Sequence, residues 1–250
     1  ISSATRRHFI LAQGPLERTA ADFWRMVWEQ KCSGIVMVTG LVEMGRQKCH
    51  RYYPDAEGAT LAHQEFTVHC SEVQEEEDYV VLFLRLTNTK TNGKPRNLTH
   101  MRFKAWPDHG IPDGAAPFLD CLEATQNYTN RDHPLVVHCS AGVGRSGVFA
   151  TVMAAKEMAE NHEVLSRMHA APHDHSIISL KEITRLARLQ RNPYIVQKEI
   201  QYEFCYSAFC EVLRRLLADA AAGSPAVGGN GRVSPIADGR ASRQSEEEFA

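Results

Sequence analysis

The stretch Val136-Val137-His138-Cys139-Ser140-Ala141-Gly142-Val143-Gly144-Arg145-Ser146-Gly147 constrains this chain more than any other. The apolar run at 134–137 reads as a buried strand and the amphipathic stretch from Ser146 reads as a helix, so the small residues between lie in a loop that ends at a helix N-terminus. Backbone N–H groups at that end have no intrahelical partner and the helix dipole is positive there, which suits the place to anions. Gly142 and Gly144 let the backbone turn several N–H groups inward. The same field favours the thiolate of a cysteine, its reactive form. Arg145 adds a planar guanidinium able to hold two phosphate oxygens at once, a geometry that lysine lacks. Taken alone, Cys139 could be a core cysteine at a strand end and the glycines a plain turn; taken with Arg145, the loop is a nucleophile in a phosphate cradle.

Strand-like patterns recur at 8–12, 34–39, 65–70, 79–86, 98–105 and 134–138, and helical patterns at 19–31, 115–129, 146–160, 177–191 and 198–217, an α/β order. Phe23, Met26 and Val27 in the first helix follow helical spacing, as do Cys205, Phe209, Val212 and Leu216 in the last, so these stripes face a core and need no cofactor. The 250 residues are 43% hydrophobic, which suits one domain with a large core, and no apolar run reaches membrane-spanning length. A formal net charge of −2 gives no global basic field. That argues against nucleic acid as a partner and leaves phosphate attraction to local charges. Seven cysteines, an odd count without paired metal-type spacing, suit a reducing compartment. A cytoplasmic location is therefore expected, and the Asn-x-Thr sequons at Asn97 and Asn127 are read as chance matches. From 220 to 250, Gly, Ser, Ala and Pro dominate and a disordered tail is expected.

His-Cys, five residues, Arg and then Ser resembles the signature loop of the tyrosine-specific protein phosphatases. Further motifs similar to that family's follow in its order along the chain. They begin with Phe9-Ile10-Leu11-Ala12-Gln13-Gly14-Pro15-Leu16, Asp22-Phe23-Trp24-Arg25-Met26-Val27-Trp28-Glu29 and Ile35-Val36-Met37-Val38-Thr39. Lys48-Cys49-His50-Arg51-Tyr52-Tyr53-Pro54 and Trp106-Pro107-Asp108-His109-Gly110-Ile111-Pro112 come next. Gln190-Arg191 and Val196-Gln197-Lys198-Glu199-Ile200-Gln201-Tyr202 close the series. The resemblance covers about residues 8–217 and implies a twisted mixed β-sheet flanked by helices on both faces, with the signature loop at a strand's C-terminal end. It also implies a monomer that hydrolyses phosphotyrosine in proteins through a cysteinyl-phosphate, without a metal or other cofactor and without membrane insertion.

Residue by residue, the resemblance makes Cys139 the nucleophile. Arg145, with the loop residues Ser140, Ala141, Gly142, Val143 and Gly144, becomes the binder of phosphate. Asp108, on a loop bounded by Pro107, Gly110 and Pro112, becomes the acid that protonates the leaving phenolate and then the base that activates water. Trp106 would anchor that loop as it closes over substrate. Gln197 would position the water, with Gln201 four residues on and on the same face if the segment is helical. Ser146 would hydrogen-bond the departing thiolate, or serve only as a helix N-cap. His138 is expected to act on Cys139 indirectly.

Three departures from the family pattern stand out. The family's usual N-terminal elements, including the tyrosine that walls its phenyl pocket, have no counterpart before Phe9, so 1–219 is read as an N-terminally incomplete catalytic domain. A His-rich insertion centred on 161–176, with His162, His169, His173 and His175, is read as a solvated loop rather than a zinc site, because Pro172 breaks it and no cysteine accompanies it. Tyr53 stands where the family usually has tryptophan, and the following loop, 55–63, lacks the family's lysine. An alternative from another class remains open, an inactive remnant that binds phosphotyrosine ligands or a partner. A dual-specificity or lipid phosphatase with the same Cys-x5-Arg chemistry fits less well, given the Trp-Pro-Asp loop and the glutamine pair.

Overall fold

The structure is a computed structural model that describes residues 7–91, 94–107, 110–170 and 177–221. Its centre is four strands, β1 (Phe9–Ala12), β2 (Gly34–Met37), β8 (Arg96–Phe103) and β9 (Leu135–His138), joined in parallel in the order β1-β9-β2-β8. Beyond β8 the sheet turns antiparallel through β7 (Tyr79–Asn88), β6 (Phe66–Glu75) and β5 (Thr60–His63), which completes seven strands. A separate hairpin pairs β3 (Val42–Glu43) with β4 (Arg46–Gln47). Its two turn residues, Met44 at φ +50° and Gly45 at φ +70°, both take the left-handed region that a tight two-residue hairpin loop demands.

β2 and β9, in the middle of the four, are buried along their whole length, so alternate side chains feed opposite cores. Val36 and Val38, Leu135 and Val137, with Met101 and Phe103, face one side. There they meet α2 (Ala116–Tyr128), α3 (Arg145–Ala159), α5 (Leu180–Gln190) and α6 (Glu199–Ala221). Ile35, Met37 and Val136 face the other side, under α1 (Ala20–Glu29) and the Tyr52-Tyr53 segment. Trp24, fully buried on α1, donates its indole N–H to the Tyr52 carbonyl at 2.9 Å and ties helix to segment. The expected mixed sheet with helices on both faces is the observed fold.

The insertion is a correction. Where the sequence suggested a solvated loop over 161–176, helix α4 spans His162–Ala170. Asn161 starts it, its side-chain oxygen accepting from the backbone N–H of Glu163 at 3.0 Å and of Val164 at 3.3 Å. Val164 and Met168 supply an apolar edge that packs against the α3 core. His173 and His175 lie outside the described residues, as does the side chain of His169. α6 runs to Ala221, slightly past the point at which the tail was expected to begin, and the rest of 220–250 lies outside the described residues.

Candidate active site

β9 runs out at His138 and α3 starts at Arg145, so Cys139 and the five residues after it form a closed loop at the C-terminal end of a central parallel strand. The loop is pinned from three sides by backbone. Gly14 N–H donates to the Ser140 carbonyl at 3.0 Å, Val38 N–H to that of His138 at 2.9 Å, and Val196 N–H to that of Val143 at 3.0 Å. Gly142, at φ +74°, presses so closely on β1 that a Cβ there would stand 2.4 Å from the Ala12 carbonyl group. A Cβ on Gly144 would likewise meet the Gln201 amide at 2.9 Å. At Gly142 only glycine fits, since the clash is with backbone at positive φ, whereas a side chain at Gly144 would require the Gln201 amide to move. The Gly142 N–H points at the Cys139 Sγ from 3.2 Å, and the Ser146 hydroxyl lies 3.6 Å from the same sulfur. Cys139 is 4% exposed, at the bottom of the cradle.

A buried polar chain stands behind the nucleophile. His138 Nδ1 lies 3.3 Å from the Cys139 carbonyl, so that nitrogen carries the ring proton, and Nε2 then accepts from the Tyr52 hydroxyl at 2.6 Å. The Tyr52 oxygen accepts in turn from His100 Nε2 at 2.8 Å. That leaves His100 Nδ1 as a bare lone pair, and it has no partner. Burial pushes the pKa of His138 down to about 4, against the pull of the Cys139 carbonyl, and pushes that of His100 well below the ordinary value. Both rings are therefore neutral at pH 7, and the expectation that His138 acts on Cys139 indirectly takes a concrete form: it fixes the peptide that carries the thiol.

Arg145 leads α3 and its guanidinium grips Glu43 end-on, Nη1 to Oε1 at 2.5 Å and Nη2 to Oε2 at 3.0 Å. Glu43 comes from the β3–β4 hairpin, far away in sequence, and also accepts from the Gly40 N–H and the Thr39 hydroxyl, each at 2.9 Å. Burial raises its proton affinity, but these donors with Arg145 outweigh that and hold the carboxyl below the usual range. An end-on grip leaves the guanidinium's Nε edge for an oxyanion. The Trp106 ring lies 5.7 Å beneath the guanidinium, and Nη2 reaches the Pro107 carbonyl at 3.4 Å. Trp106 is 6% exposed, edge-on to Phe103, Phe118 and Phe204, and its indole donates to the Gly110 carbonyl at 3.3 Å. That bond closes the loop carrying Asp108 across its base; Asp108 and His109 themselves lie outside the described residues.

The remaining expected site residues divide. Ser146 is buried in the first turn of α3, where Gly144 takes the N-cap position, so the reading of it as a cap is corrected in favour of its contact with Cys139. Gln201 is 6% exposed against Gly144, its oxygen accepting from the Lys198 N–H at 3.2 Å. Gln197, by contrast, is exposed and precedes α6, which starts at Glu199, so helical spacing does not set the two amides on one face. Its segment is held instead by Arg188, which donates to the carbonyls of Ile195 and Val196 at 2.9 and 3.2 Å. Sequence reasoning missed Glu43, Tyr52 in its relay role, and Arg188. Glu43 left no motif, since only the fold reveals its pairing across the chain.

A strand-end cysteine with a backbone N–H on its sulfur, and an arginine opening the following helix, define the class of cysteine-dependent phosphate cradles. The protein-tyrosine phosphatase family model matches residues 1–211, and the chain belongs to that family. It is 37% identical over 207 residues to receptor-type tyrosine-protein phosphatase alpha of Mus musculus, a match over 82% of this chain and 23% of the relative. To receptor-type tyrosine-protein phosphatase S of Gallus gallus it is 36% identical over 211 residues, 83% of this chain and 13% of the relative. To the Homo sapiens tyrosine-protein phosphatase non-receptor type 4 it is 36% identical over 212 residues, 84% of this chain and 21% of the relative. The chain thus spans under a quarter of these relatives' length, and they include receptor and non-receptor forms. Among the described residues, no helix is long and apolar enough to cross a membrane.

Proposed function

We propose that this chain hydrolyses phosphotyrosine in proteins by way of a cysteinyl-phosphate. The Cys139 sulfur attacks phosphorus and the bond from phosphorus to the tyrosyl oxygen breaks. Asp108 gives its proton to the leaving phenolate. Loop amides from Ser140 to Gly144 and the free edge of Arg145 hold the phosphoryl oxygens, so fixed dipoles carry much of the barrier reduction. Water placed by Gln197, with Gln201 behind it, then attacks phosphorus and yields its proton to Asp108. The thiolate departs toward the Ser146 hydroxyl, and inorganic phosphate is released. The observation that carries this reading is the Gly142 N–H on the Cys139 Sγ at 3.2 Å, a backbone donor aimed at the sulfur at the N-terminal end of α3. All seven cysteines are free, which supports action in a reducing, cytoplasmic setting.

The test is phosphate release from a phosphotyrosine peptide and a phosphoserine peptide. Turnover restricted to phosphotyrosine, abolished in Cys139→Ser and lowered roughly 10²–10⁴-fold in Asp108→Ala, is expected. A folded wild-type chain that binds the phosphotyrosine peptide without releasing phosphate would instead establish a binding module.

A further inference from the structure

The β3–β4 hairpin carries an arginine whose counter-charge has been taken from it. Glu43 and Arg46 flank the two-residue turn as directly opposed partners, and opposed residues of such a ladder put their side chains on one face. That face is the one turned to the cradle, because the Glu43 carboxylate reaches Arg145 at 2.5 and 3.0 Å. The returning chain then passes the cradle floor. A Cβ on Gly14 would stand 3.0 Å from the Lys48 carbonyl and 2.9 Å from that of Cys139, so Lys48 lies one residue's width from the nucleophile's own peptide.

Both Glu43 oxygens are spent on Arg145, and one of them also accepts from the Gly40 N–H and the Thr39 hydroxyl. Nothing is left for Arg46, which is exposed. Further along the segment Arg51 has its own acid in Asp55. Among the described residues, by contrast, neither the Arg46 guanidinium nor the Lys48 ammonium makes an ion pair or a hydrogen bond. Uncompensated positive charge therefore stands beside the cradle of a chain whose formal net charge is −2. The phosphoryl group is bound by the cradle itself, so the neighbouring charge meets the polypeptide on either side of it. On the phosphotyrosine reading above, we propose that Arg46 is a specificity-determining residue that selects substrates with Asp or Glu close to the phosphotyrosine. Its guanidinium takes their carboxylate in the place that Glu43 leaves open. The same field repels substrates with Lys or Arg at those positions, which widens the discrimination.

The test compares kcat/KM of the intact chain on three phosphotyrosine peptides that differ only in the flanking residues, which are glutamates, alanines or lysines on both sides. The glutamate peptide is expected to exceed the alanine peptide about threefold, the size of an exposed ion pair, and the lysine peptide by more. The difference should sit in KM and shrink between about 0.05 M and 0.5 M salt. Arg46→Gln should bring the glutamate and alanine peptides close to level, and Arg46→Glu should reverse their order, with melting temperatures near wild type because the residue is exposed. Equal kcat/KM on all three peptides, or a preference for glutamate that both variants keep, overturns the inference and leaves the phosphotyrosine reading standing. No phosphate release from any of the peptides overturns that reading and the inference with it.

Discussion

The floor of the cradle and its cationic rim are held by opposite means. Around Cys139 everything is backbone and close packing: Gly142 against β1, Gly14 on Ser140, and a neutral histidine behind the peptide. At Arg145 the main holder is an ion pair to a hairpin that carries 61% exposed Val42 and Met44, with the Pro107 carbonyl and the Trp106 ring as longer contacts. Packing cannot be adjusted without moving main chain, whereas an ion pair yields to charge and salt. The floor should therefore fail abruptly and globally, and the rim gradually and locally.

The largest expected effect is of pH on the floor. The folded-state pKa of His138 lies at about 4 and that of His100 well below its ordinary value, while the unfolded chain titrates near 6.5. The unfolded state thus takes up protons first as pH falls. Stability from these two rings is complete above about pH 6.5 and is lost toward pH 4, by about 1.4 kcal/mol per ring per pH unit. Urea midpoints measured from pH 7 to pH 5 should fall steeply, and His100→Gln should flatten the slope by about half. An unchanged slope in that variant would mean that the histidines are not buried neutral.

Next comes Gly142→Ala. A methyl group 2.4 Å from the Ala12 carbonyl, at φ +74°, must push the loop off β1 and swing its N–H from the sulfur. A fall in kcat of about 100-fold, some 2.7 kcal/mol, is expected. At the rim, Glu43→Gln keeps the shape and removes the charge, so Arg145 loses its orientation but not its place. A loss in kcat/KM of about tenfold, near 1.4 kcal/mol, and a melting temperature close to wild type are expected. If Glu43→Gln proved as damaging as Gly142→Ala, the contrast between packed floor and ionic rim would be wrong.

How much of this was legible in the sequence follows the same division. The floor is local: strand, glycines, cysteine and arginine lie within twelve consecutive residues, and their order alone predicted a strand end, a tight loop and a helix start. β2 and β9 were legible because burial on both faces makes them continuous apolar runs. The rim was not, because Glu43 acquires meaning only when a two-residue strand folds back across the sheet's end. The Tyr52 relay was hidden for a like reason, joining three residues from separate elements. Gln197 and Gln201 share a face only if a helix runs through both, and α6 begins two residues after Gln197. The His-rich insertion misled through composition, since its histidines and Pro172 drew attention from the pattern of Val164 and Met168 that buries one edge of α4.

That helix offers the mildest test, at a place remote from floor and rim alike. α4 has nine residues, too few for stability from propensity alone, so its start rests on the Asn161 side chain and its seat on Val164 and Met168. Asn161→Ala leaves two N–H groups without their acceptor and should cost about 1 kcal/mol or less, with faster hydrogen exchange over 163–166. Phosphotyrosine turnover should not change, because among the described residues α4 makes no hydrogen bond or ion pair with Cys139, Arg145 or Glu43. A drop in turnover with melting temperature preserved would show instead that the insertion bears on the site, and that a third region must join the comparison between floor and rim.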